Sequence, residues 1–169
     1  PFNKVEHTRD HGARVLLEGM TFDEAKAHAY DVCTREGLTF VHPFDDADII
    51  AGQGTIALEM LADNPGLDTL VIPIGGGGLI AGIAIAAKAL KPEIRVIGVQ
   101  AAMYPAMHAA LRGKPAKTGG ATIAEGIAVR DVGEVTRQIC ERLVDDVVLV
   151  EEEHLERAIT LFVEVEKTI

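Results

Sequence analysis

Residues 70–82, Leu70-Val71-Ile72-Pro73-Ile74-Gly75-Gly76-Gly77-Gly78-Leu79-Ile80-Ala81-Gly82, decide the fold of this chain. The apolar run before the glycines is typical of a buried parallel strand, and the nearly nonpolar segment after them is typical of a buried helix. Four residues without Cβ let the backbone turn sharply and present its N–H groups. The first N–H groups of the helix have no intrahelical partner and lie at the positive end of its dipole. Strand, glycine loop and helix N-terminus together predict a cradle for a phosphate group.

Two familiar nucleotide-binding loops do not fit this stretch. No lysine follows the glycines where the nucleoside-triphosphate loop requires one. The dinucleotide fingerprint would use Gly75 and Gly77, but its third glycine position is occupied by Ile80. The alternative is that the glycines only allow the helix to pack closely on the strand. One or two glycines would suffice for packing, and four cost chain entropy, so we favour the phosphate cradle.

Several segments, taken together and in order, resemble the pyridoxal-phosphate enzymes that dehydrate serine and threonine. The glycine loop looks like their phosphate loop. The other matching segments are His-Pro-Phe-Asp at 42–45, Ile-Ala-Gly-Gln-Gly-Thr at 50–55, Gly-Gly-Ala-Thr-Ile-Ala-Glu-Gly-Ile-Ala at 119–128 and Leu-Val-Asp-Asp at 143–146. The resemblance runs from one end of the chain to the other. It implies an incomplete α/β fold of the tryptophan synthase β-like kind, with three layers and a mostly parallel sheet.

The resemblance implies pyridoxal 5'-phosphate as the cofactor and assigns residues to it. The residues expected to bind its phosphate are Gly75, Gly76, Gly77, Gly78 and Leu79. Glu125 and Gly126 match a family segment that passes beside the cofactor ring, although Glu125 could equally form a cap or an ion pair at the surface. The family's cofactor lysine and substrate-carboxylate loop lie in segments with no counterpart here. No catalytic residue is therefore predicted in this chain.

The implied function is part of a threonine (serine) dehydratase, a threonine ammonia-lyase that converts L-threonine to 2-oxobutanoate and ammonia, with a place in isoleucine biosynthesis. The fragment alone is expected to be inactive. Alternatives with the same fold are a serine racemase and a hydroxyaspartate dehydratase, and an alternative of another class is a noncatalytic fragment that binds a phosphorylated molecule. Serine racemases that bind a divalent cation carry Glu and Asp where this chain has Gln100 and Ala106. No metal site is therefore expected.

Composition limits the remaining possibilities. The chain has 169 residues, 48% of them hydrophobic and 25% charged, which is typical of a globular protein. A net charge of −10 argues against nucleic acid or an anionic membrane as a partner. Cys33 and Cys140 are far apart in the sequence and predict a reduced, cytoplasmic protein. The remaining partner expectations are an amino-acid substrate and a homo-oligomer in the complete enzyme.

The first 42 residues are predicted to form the C-terminal half of a small domain, and residues 43–169 the central part of a large one. In the first part we expect a helix from Asn3 to His11, a capping box of Thr21 and Glu24 that opens a helix ending at Glu36, and strands at 13–17 and 38–42.

In the second part, a helix is expected from the aspartates at 45–48 to near Asn64 and another from the glycine loop to near Lys91. Further helices are expected near 103–111, 131–143 and 151–167. Strands are expected at 70–74, 95–100 and 147–150. The carboxylates of Asp45, Asp46 and Asp48 could suggest a metal, but helix capping is the better interpretation.

Overall fold

A computed structural model of the chain describes residues 2–20 and 22–166, without the surroundings of the Asp23 side chain. The chain divides into two compact units, Pro1–Val41 and His42–Ile169. Each unit is described by itself below. Among the described residues, no helix is both long enough and apolar enough to cross a membrane.

The first unit contains two helices, α1 (Phe2–Asp10) and α2 (Phe22–Glu36). Both end as expected at a glycine in the left-handed conformation, with φ of 79° at Gly12 and 65° at Gly37. At the start of α2, the Glu24 carboxylate accepts a hydrogen bond of 2.6 Å from the N–H of Met20. Thr21, the expected N-cap, lies outside the described residues.

The prediction of two strands before residue 43 is wrong. Residues 13–17 and 38–42 are irregular, and the sheet that the structure describes lies entirely in the second unit. A strand exists only when another strand accepts and donates its backbone hydrogen bonds, and neither segment finds one among the described residues.

The second unit is built on a three-stranded parallel sheet in the order β1-β2-β3. Its strands are β1 (Thr69–Pro73), β2 (Arg95–Ala101) and β3 (Asp146–Val150). Its helices are α3 (Ala47–Asp63), α4 (Gly78–Leu90), α5 (Ala106–Ala110), α6 (Glu134–Leu143) and α7 (Glu152–Leu161), with a 3-10 turn at Glu125–Ile127 and a π-helical turn at Phe162–Glu166. The α/β class and the parallel sheet are confirmed.

Helix α5 starts at Ala106 and α6 at Glu134, each three residues later than predicted. The chain first turns after β2, where the N–H of Tyr104 bonds to the carbonyl of Ala101. Pro105 then precedes α5, a position at which its missing N–H costs no helix hydrogen bond. The predicted end of the last helix, Lys167, lies outside the described residues.

The core lies between β1, α4 and their neighbours. Alternate residues of the first strand, Leu70 and Ile72, are buried, as is the following Ile74. Ile80 and Ala84 of α4 are completely buried against the same cluster. This burial explains why the segment after the glycines carries so few polar side chains.

Helices α3 and α4 touch backbone to backbone. A Cβ added to Gly82 would overlap the carbonyl oxygen of Ile50 and lie 2.7 Å from the nitrogen of Gly54. Gly54 therefore allows the close approach of α4, whereas a Cβ added to Gly52 would meet open space.

Asp145 joins three elements at the other end of the sheet. Its Oδ2 accepts hydrogen bonds from the N–H of Val96, at 2.7 Å, and from Lys88 Nζ, at 2.9 Å. Burial raises the pKa of this carboxyl, but the Val96 and Lys88 bonds outweigh burial and leave the pKa below its ordinary value. Lys88 is thereby held near the end of α4 that lies opposite the glycine loop.

We predict opposite effects for alanine at the two helix glycines. Gly82→Ala should lower the free energy of unfolding by about 2 kcal/mol, because its Cβ has backbone atoms as neighbours that cannot move aside. Gly52→Ala, the matched control in open space, should raise it by about 0.5–1 kcal/mol through helix propensity. Urea unfolding of both variants measures the difference. Equal stability of the two variants would contradict the close contact between α3 and α4.

Candidate functional site

The glycine loop follows β1 directly and ends where α4 begins. The last sheet-like bond runs from the N–H of Ile74 to the carbonyl of Val99, at 2.8 Å. Gly77 is the N-cap of α4 and has a φ of 100°, a left-handed conformation that favours glycine. The first helical bond runs from the N–H of Ala81 to the carbonyl of Gly77, at 3.0 Å. The loop thus turns within the three residues 75–77.

Six consecutive N–H groups at this turn have no protein acceptor. Within residues 2–20 and 22–166, none of the N–H groups of residues 75–80 donates a hydrogen bond. Gly76, Gly77 and Gly78 are nevertheless buried. Buried N–H groups are almost always paired, so a run of unpaired ones at a helix N-terminus fits an anion such as a phosphate group.

The glycines also pack closely, as the alternative interpretation requires. A Cβ on Gly76 would overlap the ring of Phe44, and a Cβ on Gly78 would lie 2.9 Å from the carbonyl oxygen of Phe44. A Cβ on Gly77 would lie 2.7 Å from Cε of Met107. Packing and the unpaired N–H groups therefore both account for the glycines, and the two explanations are not exclusive.

One carbonyl of the loop is firmly held. Gly76 O accepts a 2.8 Å hydrogen bond from the hydroxyl of Thr136 and a 3.3 Å bond from the N–H of Gly133. Thr136 is completely buried. Start-of-helix residues of α6 and its N-cap thus hold the carbonyl of the loop. Sequence reasoning missed Thr136, because nothing in the pattern of α6 indicates which distant carbonyl a buried threonine contacts.

The segment that contains Glu125 and Gly126 passes beside the loop. The Cα of Ile127, at the end of the 3-10 turn, lies 3.3 Å from the position of a Cβ on Gly75. Glu125 and Gly126 are themselves exposed. The Glu125 carboxylate forms no hydrogen bond or ion pair with another described residue, so the alternative of a surface cap has no counterpart in the part of the chain that the structure describes.

Two of the three aspartates near residue 46 cap helices, and the third, Asp48, lies in the first turn of α3. Asp46 is the N-cap of α3 and accepts hydrogen bonds from the N–H groups of Asp48 and Ile49. Asp45 instead accepts bonds from the N–H groups of Glu134 and Thr136, each at 3.0 Å, at the start of α6. The capping interpretation is thus confirmed for Asp46, while the distant partner of Asp45 was not predicted.

Metal-binding relatives are expected to carry acidic residues at two positions. In this chain, one of them holds a hydrogen-bonded amide and the other an apolar side chain. Gln100 is fully buried, its Oε1 accepts a 2.8 Å bond from the N–H of His108, and its Nε2 donates to the carbonyl of Ile74 at 3.4 Å. Ala106 is buried too. Among the described residues no three His, Cys, Asp or Glu side chains are grouped so as to hold a metal ion.

Comparison with known proteins places the chain in a family. All of it, residues 1–169, matches the family described as pyridoxal-phosphate dependent enzymes, and the chain belongs to this family. It is 44% identical over 171 residues to the L-threonine ammonia-lyase of Thermotoga maritima, an alignment that covers 100% of this chain and 43% of the relative. It is 49% identical over 166 residues to the L-threonine ammonia-lyase of Geobacter sulfurreducens, covering 97% of this chain and 41% of the relative.

Solved structures agree with this assignment. The processed form of threonine deaminase isoform 2 from Solanum lycopersicum superimposes with a TM-score of 0.90 at 37% identity, over 100% of this chain and 47% of that one. Maize serine racemase gives a TM-score of 0.90 at 31% identity, over 98% of this chain and 52% of that one. The family, fold and cofactor class expected from the motifs are confirmed, and the chain spans less than half the length of the curated relatives named above.

We predict that divalent cations are not required by the complete protein. Gln100 and Ala106 offer no carboxylate, and the amide of Gln100 is already bonded on both sides. Treatment with a chelator at constant potassium concentration should leave the cofactor content unchanged, as measured by absorbance of the cofactor. A large loss that magnesium or calcium restores would contradict this expectation.

Proposed function

We propose that this chain forms the phosphate-binding part of a threonine dehydratase, an enzyme that converts L-threonine to 2-oxobutanoate and ammonia. The observation that carries the proposal is the run of unpaired N–H groups from Gly75 to Ile80 at the start of α4. The names of the two relatives with 44% and 49% identity support the choice of substrate.

In this proposal the protein residues hold and orient the cofactor, while bound pyridoxal phosphate supplies the electron-withdrawing ring that labilises bonds at the substrate α-carbon. The N–H groups of residues 75–79 would donate to the phosphate, and the dipole of α4 would favour its negative charge. The segment 125–127 would pass beside the ring, as expected for Glu125 and Gly126. No residue of this chain is assigned to proton transfer.

The proposal extends to the chain's place in the complete protein. We assign residues 1–42 to the C-terminal half of a small domain and residues 43–169 to the central part of the large, cofactor-binding domain. The complete enzyme is proposed to be a cytoplasmic homo-oligomer that serves isoleucine biosynthesis. Two free cysteines, Cys33 and Cys140, are compatible with a reducing compartment.

A serine racemase is the second candidate, because maize serine racemase superimposes on the chain with a TM-score of 0.90. The neutral Gln100 and Ala106 favour the dehydratase over a racemase that needs a divalent cation. The products separate the candidates in the complete protein. A dehydratase releases ammonia and a 2-oxo acid from L-threonine, a racemase forms D-serine from L-serine, and a hydroxyaspartate dehydratase acts on neither as its preferred substrate.

We predict that a negative charge placed at Gly75 expels the cofactor. Among the four loop glycines, Gly75 leaves the most space for a side chain, because the nearest atom to an added Cβ is Val129 Cγ2 at 3.1 Å. Gly75→Asp and Gly75→Asn introduce side chains of one shape, so their difference isolates the charge. In the complete protein the Asp variant should bind pyridoxal phosphate at least about tenfold more weakly than the Asn variant, which corresponds to about 1.4 kcal/mol.

The dissociation constants are measured by titrating the apoprotein and following cofactor absorbance. Pyridoxal, which lacks the phosphate, is the control ligand and should bind both variants alike. Equal affinities of the Asp and Asn variants for pyridoxal phosphate would show that the phosphate lies elsewhere.

We also predict that the 169-residue chain alone does not dehydrate threonine. The lysines of α4 are tied at the end opposite the loop, Lys88 to Asp145 at 2.9 Å and Lys91 to the carbonyl of Leu67 at 2.7 Å. Lys88 lies roughly 15 Å along the helix from Gly78, at 1.5 Å per residue, and its side chain cannot cover that distance. Neither Lys88 nor Lys91 can therefore reach a ligand at the cradle from the position that it occupies in the structure.

The test mixes the purified chain with pyridoxal phosphate, adds borohydride and maps the modified peptides. Weak labelling spread over several lysines and no ammonia from threonine are expected. Lys88→Arg is the matched control, because a guanidinium keeps the ion pair with Asp145 and offers no amine for labelling. Stoichiometric labelling of one lysine, accompanied by turnover, would contradict the prediction.

A further inference from the structure

We propose that Asp45 is a positioning residue for the cofactor phosphate, acting through α6 on the carbonyl of Gly76. This inference rests on the proposed function, since it concerns the same loop. Asp45 does not belong to the loop, and its proposed role does not require it to touch the cofactor. Its effect is transmitted by two successive sets of hydrogen bonds and then by one peptide bond.

The first contact joins Asp45 to the N-terminus of α6. Oδ2 accepts a hydrogen bond from the N–H of Glu134 and Oδ1 accepts one from the N–H of Thr136, each 3.0 Å long. The N-cap residue of α6 is Gly133, which has no side chain with which to cap the helix. A Cβ at Gly133 would overlap Asp45, so the glycine makes room for the carboxylate. Asp45 therefore replaces a local cap and also complements the helix dipole.

The second contact joins α6 to the glycine loop. The hydroxyl of Thr136 donates to the carbonyl of Gly76 at 2.8 Å, and the N–H of Gly133 donates to the same oxygen at 3.3 Å. Thr136 thus donates its backbone N–H to Asp45 and its side-chain hydroxyl to the carbonyl of Gly76. Loss of the Asp45 bond would release the residue that fixes the loop.

The third step is set by the geometry of the peptide bond. The carbonyl of Gly76 and the N–H of Gly77 belong to one planar trans peptide and point in opposite directions. When α6 holds the carbonyl, the N–H of Gly77 is aimed away from α6 with no protein acceptor. This N–H is one of the six proposed to bind the phosphate. The orientation of a phosphate donor is thereby coupled to Asp45.

Phe44, the residue before Asp45, packs directly against the glycine loop. Its ring occupies the space where Gly76 would carry a Cβ, and its backbone lies against Gly78. His42 Nδ1 accepts hydrogen bonds from the N–H groups of Phe44, at 3.3 Å, and Asp45, at 2.9 Å. The segment 42–45 is therefore ordered by its own hydrogen bonds, which places the Asp45 carboxylate for α6.

Asp46 provides a matched control because it is the same residue type, is adjacent in sequence, and also caps a helix. It uses only Oδ1, which accepts from the N–H groups of Asp48 at 2.9 Å and Ile49 at 3.1 Å. Asparagine at 46 keeps that oxygen. Asparagine at 45 must replace one of two accepting oxygens by an NH₂ group that faces an N–H donor.

The experiment compares Asp45→Asn with Asp46→Asn in the complete protein, where both remove one negative charge. Asp45→Asn should raise the dissociation constant of pyridoxal phosphate about tenfold and Asp46→Asn by no more than about twofold. The phosphorus-31 NMR signal of the bound cofactor should shift in the first variant alone. Pyridoxal affinity, which does not involve a phosphate, should stay the same in both. Equal dissociation constants and an unchanged phosphorus signal would overturn the proposal.

A second pair tests the same connection if Asp45→Asn does not fold. Thr136→Val removes the hydroxyl that donates to Gly76 while nearly keeping the volume, and Thr136→Ser restores it. Weaker phosphate-dependent binding in the Val variant and recovery in the Ser variant support the proposal, whereas equal binding overturns it. If the Gly75→Asp and Gly75→Asn variants also bind alike, the phosphate site itself is wrong. If they differ while the position 45 and 136 variants behave like their controls, only the positioning role fails.

Discussion

The structure of the second unit depends on how one peptide of the glycine loop is hydrogen-bonded. The carbonyl of Gly76 accepts two bonds from α6, whereas the N–H groups of residues 75–80 have no acceptor among the described residues. Buried donors without acceptors are costly unless a ligand satisfies them. The protein holds one side of the loop firmly, and the side with unpaired N–H groups is the one proposed to bind the phosphate.

Close packing of backbone around the loop makes that arrangement rigid. The contact between Gly54 and Gly82 brings α3 against α4, and Phe44 lies directly on Gly76. Neither contact tolerates a Cβ at its glycine, because the neighbouring atoms are backbone or the body of an aromatic ring. The glycines therefore serve two requirements at once, namely a turn that exposes N–H groups and an approach distance that side chains would prevent. The proposed binding depends on the packing, because the packed side of the loop orients the N–H groups on its other side.

Predictions from the sequence were correct for some helix ends and wrong for two strands and for the start of α6, each for a physical reason. The helices bounded by Gly12 and Gly37 end as expected, because a glycine in the left-handed conformation is a local property of the chain. Strands expected at 13–17 and 38–42 are not present in the described structure, because a strand requires hydrogen bonds from another segment. The start of α6 came at Glu134 rather than Asp131, because the cap that begins it comes from Asp45. Local signals were reliable where no distant partner took part.

By itself the sequence determined the order strand, glycine loop, helix, strand around residues 70–100, the family, and the identity of the loop expected to bind a phosphate. The element order and the loop depend on the types and spacing of residues along the chain, and the family was indicated by motifs that resemble it. Tertiary structure alone decided that Asp45 caps α6 rather than the helix next to it, that Thr136 holds Gly76, and that Gln100 is consumed by hydrogen bonds to Ile74 and His108. The physical reason is that a hydrogen bond depends on distance and direction in space. Residues about 90 positions apart in the sequence can satisfy both only after the chain has folded.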